Sequence, residues 1–473
     1  MFIKNFLEFK TNSGTEYIYC SDTCMVFEKS KILNNEISKE RYKLWKNIYD
    51  EFINVNFKTL PTDEKDIKTY LLRQGFNELI LEVTSSCNLR CKYCIFSGQY
   101  GDRRNHGNKK MDISTALDAI KMYYEYYIKS KNYNPNNRPT IAFYGGEPLL
   151  NIELIKECLK YIKTIFSKED NVYLTITTNG TLLTEEIIQL FKKNKVQIIV
   201  SLDGPKEIHD KNRVFANEKE TFDIVMKNLN SIKKITGKPV LVNSVYDFNT
   251  NLNEVFNFFD KNKDIFNIAL SPVFTSNTQY YEDFNENTLK VFFENYSKLE
   301  DSFKDNIKNN SNKNSMINQF FGKDCSRVLI KQILTLKNPL IRFTGSCMPG
   351  EKLFVNVDGN LFPCEKVDDK FILGNVQNGL DFKLISNYIN EFNKLCNECS
   401  KCLIKNQCNL CYAMLRKDGD FCKRKEMCDT TIKSFLSRMS LTYSVLEQNP
   451  SWFDEFTDNY YGELKKRDVK KKC

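Results

Sequence analysis

From Glu78 onward, short runs rich in apolar and β-branched residues alternate with longer stretches whose apolar positions recur every three to four residues. The runs predict strands at Glu78 to Thr84, Thr140 to Tyr144, Val172 to Thr178, Gln197 to Leu202, Val240 to Tyr246 and Phe266 to Val273. The longer stretches predict helices at Ser114 to Lys129, Ile152 to Phe166, Thr184 to Lys193 and Thr221 to Ile235. Six such units are the signature of an α/β fold wound around a parallel sheet. In a parallel α/β barrel the residues just beyond the C-terminal ends of the strands converge on one face. Here those positions hold Cys87, Gly145, Asn179 and Asp203 in turn.

The flanks read differently. Residues 1–75 open with a hairpin-like run and continue mostly helical from Ser38 to Arg73, which predicts a small α+β module before a barrel over 76–275. Residues 276–344 are polar and predict helices joined by a solvated loop. Residues 345–430 are turn-rich and dense in cysteine, a region whose core requires metal, and 431–473 predict a helix and a basic tail.

Composition narrows the chemistry. The chain has 473 residues, of which 17 are cysteines and two, His106 and His209, are histidines. So few histidines exclude a multi-His zinc or iron site and leave thiolate ligation. No apolar run approaches the ~20 residues that span a bilayer, and the first residues lack a signal-peptide pattern, so a cytoplasmic protein without a membrane partner is expected. The formal charge of +9 is spread along the chain apart from the terminal KKRDVKKKC, which reads as a solvated tail and not as a nucleic-acid site. Cys20 and Cys24, with no second pair nearby, read as plain thiols.

CNLRCKYC, directly after the first predicted barrel strand, sets Cys87, Cys91 and Cys94 at Cys-x3-Cys-x2-Cys spacing. Three soft thiolates in one short loop suit one face of an iron-sulfur cube, and the missing fourth leaves one iron open. With Tyr93 before the last cysteine, this resembles the radical S-adenosylmethionine (SAM) superfamily, whose cluster loop follows the first strand of a partial (β/α)6 barrel. The resemblance implies a 4Fe-4S cluster that chelates S-adenosylmethionine and reductively cleaves it to a 5′-deoxyadenosyl radical. It also implies a flavodoxin or ferredoxin-type electron donor.

Two further motifs carry the same likeness. In FYGGEP the paired Gly145 and Gly146 permit close backbone approach, and Glu147, followed by Pro148, offers a carboxylate for the methionine ammonium. In SLDGPKEIHDKNR, Ser201 and Arg213 match residues that contact the cofactor in sulfatase-maturating and peptide-modifying relatives, with Asp203 beside them. Asn179, in the TTNG turn, is a further cofactor candidate, while His209 and Asp210 suit loop closure as well as chemistry.

The C-terminal cysteines resemble the SPASM extension, which binds two auxiliary 4Fe-4S clusters and so brings the expected total to three. By its interleaved pattern Cys399, Cys402, Cys408 and Cys428 form the outer cluster, and Cys347, Cys364 and Cys411 the inner one. The Cys408-x2-Cys411 step departs from the usual x3. The fourth inner position is open to Cys325 or a substrate thiolate, Cys396 and Cys422 compete nearby, and two zinc sites are the alternative. Glu365, after Cys364, stands where sulfatase-maturating relatives carry an aspartate base.

The combined likeness, from Asn77 to Cys428, is greatest to maturases that install sulfur-to-carbon thioether links in Cys-rich precursor peptides. The N-terminal module would be winged-helix-like and bind the peptide's leader by strand addition. A sulfatase-maturating enzyme is the second reading, and a non-catalytic iron-sulfur or zinc protein is the alternative from another class.

Overall fold

The computed structural model describes residues 5–54, 63–101, 103–309, 313–337, 348–422 and 425–454. Cys347 and the basic tail therefore lie outside the described residues.

The chain opens with β1 (Phe6–Lys10), β2 (Glu16–Cys20) and β3 (Val26–Glu28), an antiparallel sheet in that order. The helices α1 (Lys29–Leu33), α2 (Lys39–Asn54) and α3 (Glu64–Gln74) follow. The barrel then runs β4 (Glu78–Glu82), α4 (Ile113–Lys131), β5 (Thr140–Tyr144), α5 (Ile152–Ile165), β6 (Tyr173–Thr178), α6 (Glu185–Lys193), β7 (Val196–Ser201), α7 (Lys206–Asn212), α8 (Phe222–Thr236), β8 (Val240–Tyr246), α9 (Leu252–Lys261) and β9 (Phe266–Pro272). β4 to β9 are neighbours in chain order and parallel throughout. All six predicted strands are present to within two residues.

The strands alternate with period two, which a parallel strand buried on both faces would not do. Leu79, Leu81, Ile141, Phe143, Ile176, Ile198 and Val200 are buried in the apolar core. The intervening positions, among them Thr140, Tyr144, Thr175, Thr177, Ser201 and Asn243, line a cavity. A polar inner face marks this barrel as a container, unlike the side-chain-filled core of closed eightfold barrels. Helix starts follow local chemistry: Thr184, Asn251 and Asn285 each accept a backbone N–H of the first turn.

Beyond β9, α10 (Glu286–Lys308) and α11 (Met316–Lys337) form the expected helical segment. The cysteine-rich part comprises β10 (Lys352–Val355), β11 (Asn360–Phe362), β12 (Gly374–Asn375), β13 (Gly379–Leu380), α12 (Phe382–Leu395), β14 (Arg416–Lys417) and β15 (Asp420–Phe421), before α13 (Lys425–Gln448). It is continuous with the barrel: β10 pairs parallel with β4, Leu353 opposite Leu79, giving one ten-stranded sheet in the order β13-β12-β11-β10-β4-β5-β6-β7-β8-β9.

The N-terminal sheet docks on the same C-terminal layer. Tyr19 meets Phe435 at 5.0 Å, the Thr11 hydroxyl donates to Glu447 at 3.0 Å, and Lys405 pairs with Asp22 at 3.3 Å. By contrast α3 packs on α4 and α12, away from that sheet. Among the described residues no helix is long and apolar enough to cross a membrane.

Candidate active site at the barrel mouth

The loop after β4 is stitched to the segment after α7: the amides of Arg90 and Lys92 donate to the carbonyls of Val214 and Asn212, at 2.8 and 3.1 Å. This holds Cys87, Cys91 and Cys94 on the wall of one cavity of about 640 Å³, ample for a nucleoside-sized ligand. Burial pushes the Cys87 and Cys94 thiols up to about 12 and raises Cys91 as well. Yet donors face the sulfurs: the Leu89 amide at 3.4 Å and Asn179 Nδ2 at 4.0 Å from Cys87 Sγ, and Arg213 Nη1 at 3.9 Å from Cys91 Sγ. Buried thiols that resist ionisation, ringed by N–H groups, suit a soft metal centre that deprotonates its ligands on binding. Among the described residues no three His, Cys, Asp or Glu side chains converge to hold a single ion. An iron-sulfur cube does not require that, since each thiolate binds a different iron.

Gly145 and Gly146 also line the cavity, but their lack of a side chain is demanded from the other direction. A Cβ at Gly145 would stand 2.4 Å from the Thr84 carbonyl oxygen, and one at Gly146 2.1 Å from that of Ser86. The GGEP segment crosses directly over the cysteine loop, and the amides of Gly146 and Glu147 bond those same carbonyls at 2.8 Å. Glu147 and Pro148 are buried behind the wall and do not line the cavity. The Glu147 carboxylate accepts from Thr178 Oγ1 and the Asn179 amide, both at 2.7 Å, and from the Leu149 amide at 3.1 Å. It thereby joins two of the sequence motifs, while burial raises its pKa to about 7 against those bonds. Asn179 reaches the cavity and donates to Asn88 at 2.8 Å.

Across the cavity, Tyr93, Ser201 and Arg213 face inward. Asp203 stands behind them: its carboxylate pairs with Arg213 Nε at 2.9 Å, accepts from the Tyr93 hydroxyl, and takes the Val245 amide at 3.2 Å. Arg213, 5.3 Å above the Tyr93 ring, is aimed by this pair. His209 is buried between the Asp203 amide, 3.3 Å from Nδ1, and the Thr221 hydroxyl, 3.0 Å from Nε2, and burial lowers it to about 4. Asp210 accepts the amides of Thr221 and Phe222, both at 2.9 Å. Both residues close the loop.

Glu365 lines the same cavity as the three cysteines. Tyr144, half-buried at the end of β5 and with its pKa raised chiefly by desolvation and next by Glu365, joins it. Period-two alternation with Thr140 and Ala142 marks Tyr144 as inward-facing, a signal available in the sequence but outweighed by the neighbouring GGEP. Farther out, Cys408 is pushed up to about 11, foremost by burial and then, against the Leu410 amide, by Cys402, Cys399 and Cys428. Those three are the other members of the expected outer group. Cys325 is buried in α11 with Thr442 of α13 as its hydrogen-bond partner, Cys396 caps α12, and the Cys422 amide bonds Leu415 at 2.7 Å.

Residues 81–261 match the family profile described as the Radical SAM superfamily. The chain carries a radical SAM domain. A cysteine-type anaerobic sulfatase-maturating enzyme of Clostridium perfringens is 29% identical over 358 residues, 70% of this chain and 88% of that one. Its namesake from Clostridium novyi is 32% identical over 193 residues, but the match spans only 49% of that relative and 40% of this chain. The radical SAM cyclopropyl synthase TigE of Paramaledivibacter caminithermalis is 29% identical over 43% of each chain. The fold is similar to that of native anSMEcpe with bound AdoMet, at TM-score 0.57 and 23% identity over 81% of this chain and 99% of that one.

Proposed function

We propose that the enzyme is a peptide maturase that installs sulfur-to-carbon thioether links in a Cys-rich precursor peptide. Cys87, Cys91 and Cys94 hold the catalytic 4Fe-4S cluster, and Tyr93, Gly145, Gly146, Asn179, Ser201 and Arg213 receive S-adenosylmethionine. With both bound, the site supplies a 5′-deoxyadenosyl radical that takes a hydrogen atom from the peptide. Asp203 aims Arg213, and Glu147 and Pro148 brace the glycine crossing; as the cysteine sulfur bonds to the substrate-radical carbon, Glu365 would accept the thiol proton and the proposed inner auxiliary cluster the electron. Cys399, Cys402, Cys408 and Cys428 carry the outer auxiliary cluster; Cys364 and Cys411, with Cys347, carry the inner one. A flavodoxin or ferredoxin-type protein delivers the electron. The leader adds to the open edge of β3, where a groove of about 410 Å³ runs beside Phe27, Ile37 and Arg41.

The observation that carries this reading is the single cavity joining the three-cysteine loop to Glu365, so that hydrogen-atom removal from a substrate carbon and proton removal from the cysteine sulfur that bonds to it can take place side by side. A second reading, formylglycine formation in a sulfatase, is favoured by the names of the Clostridium relatives. Reconstituted enzyme given S-adenosylmethionine, reductant and the Cys-rich peptide encoded beside its gene should release 5′-deoxyadenosine and yield a peptide that has lost hydrogens but kept its sulfur. Replacement of cysteine sulfur by oxygen, in that peptide or in a sulfatase peptide, would establish the second reading.

A further inference from the structure

The loop between the catalytic cysteines and α4 carries two consecutive arginines whose charges the site described above does not use. Placing a guanidinium in the interior is expensive unless something negative repays it. Arg103 is 7% exposed, and its Nη2 donates to the Ala413 carbonyl at 3.3 Å, two residues past Cys411. Arg104 Nη2 donates to the Glu365 carbonyl at 2.9 Å, one residue past Cys364. Adjacent residues of one loop thus grip both described segments that bear the proposed inner-cluster cysteines.

Aromatic rings hold the two groups in place. The Arg104 guanidinium lies 4.6 Å from the Phe354 ring of β10 and 4.7 Å from the Phe362 ring of β11, and that of Arg103 lies 5.0 Å from Phe274. Such stacking fixes a cation but does not neutralise it. Nε and Nη1 of Arg104 are buried with no hydrogen-bond partner. Burial depresses Arg104, and the negative groups near enough to oppose this are Glu82, Cys364 and Glu365. Two unspent N–H donors on a buried cation beside Cys364 call for an anion there.

We infer that Arg103 and Arg104 form the cationic seat of the auxiliary cluster carried by Cys364 and Cys411, and that Arg104 raises its reduction potential. The inference rests on the proposed cluster assignment. A thiolate-ligated cube is anionic and gains a further negative charge on reduction, so a fixed cation beside it favours the reduced state. Arg104 is a positioning and potential-setting residue and does not touch the reacting atoms.

The test is an EPR-monitored redox titration of the full-length, anaerobically reconstituted enzyme, with iron and sulfide counted in every sample. The Cys87, Cys91 and Cys94 to Ala variant removes the catalytic signal and isolates the auxiliary ones. In Arg104→Gln the reduced-to-oxidised ratio of this one cluster at a fixed potential should fall about tenfold, which for one electron is a 59 mV lowering. Arg104→Lys, which keeps the charge, should recover most of it, and the other clusters should titrate as before. Loss of the cluster in Arg104→Gln but not in Arg104→Lys would equally support the seat. Wild-type titration of Arg104→Gln at full iron content, or equal cluster loss in both variants, would overturn it. Undiminished iron in Cys364→Ala/Cys411→Ala would remove the cluster assignment itself, and the inference with it.

Discussion

The barrel and the cysteine-rich layer each contain a buried Arg–Asp pair, and the two pairs do different work. In the barrel, Arg213 lines the cavity with its Nη1 facing Cys91, and Asp203 stands behind it, 2.9 Å away. In the cysteine-rich layer, Arg416 and Asp368, 2.6 Å apart, lie among the rings of Phe371, Tyr388 and Phe421. The first turns a side chain toward Cys91; the second is enclosed by the aromatic side chains of its own layer. The surroundings explain the contrast. Around Arg213 the sheet supplies rigid apolar packing, so the pair is available for positioning. Over residues 402–422 the backbone is turns and one hairpin of two-residue strands, so charge and ring contacts carry much of its order, and any bound metal would add to them.

Removing iron separates the regions most sharply. Anaerobic chelation should speed amide exchange across residues 396–422 by about two orders of magnitude or more while β5 to β8 stay protected. Equal loosening of the barrel strands would erase the contrast. The next effect concerns the pairs. Asp203→Ala and Asp368→Ala each strand a buried guanidinium and should cost about 3–5 kcal/mol in denaturant unfolding. Only Asp203→Ala should also abolish 5′-deoxyadenosine release under conditions where the variant remains folded. Comparable activity in the two variants would mean that Arg213 is a structural residue.

The smallest effect tests the seam between the regions, where Glu82 at the end of β4 accepts the Val357 amide at 3.3 Å. Burial lifts its pKa from 4.5 to about 7, against the opposing pull of Arg104. The folded state thus holds this proton more tightly than the unfolded chain. The associated stability is complete below pH 4.5 and is lost as pH rises through about 7. Glu82→Gln should flatten the decline of stability between these limits by about 3 kcal/mol. An unchanged slope would assign the pH dependence to other groups, Glu147 foremost.

The barrel is legible in the sequence because its information is local. Strand alternation and helical spacing lie within single elements, and the strand ends alone locate Cys87, Gly145, Asn179 and Asp203 at one mouth. The pairing of β10 with β4 is not legible, since Leu353 and Leu79 are distant in the chain and share no local pattern. Glu147 has the motif of a ligand for an ammonium group; the fold turns it toward Thr178 and Asn179, because a strand-end carboxylate beneath a crossing loop meets backbone N–H groups first. Arg103 and Arg104 give no signal for a related reason. Neighbouring arginines in a loop read as solvated charge until the strands they reach, around Glu365 and Ala413, are folded over them.

The union of β10 with β4 makes the separation between the three-cysteine loop of the barrel and the cysteine-rich layer a property of a hydrogen-bonded ladder, not of the loops connecting them. The loop between α10 and α11 can therefore be lengthened or cut without altering the spacing of the two regions, provided both halves meet at that seam. Two separately expressed fragments, divided between α10 and α11, would have the same edge strands to dock as the intact chain.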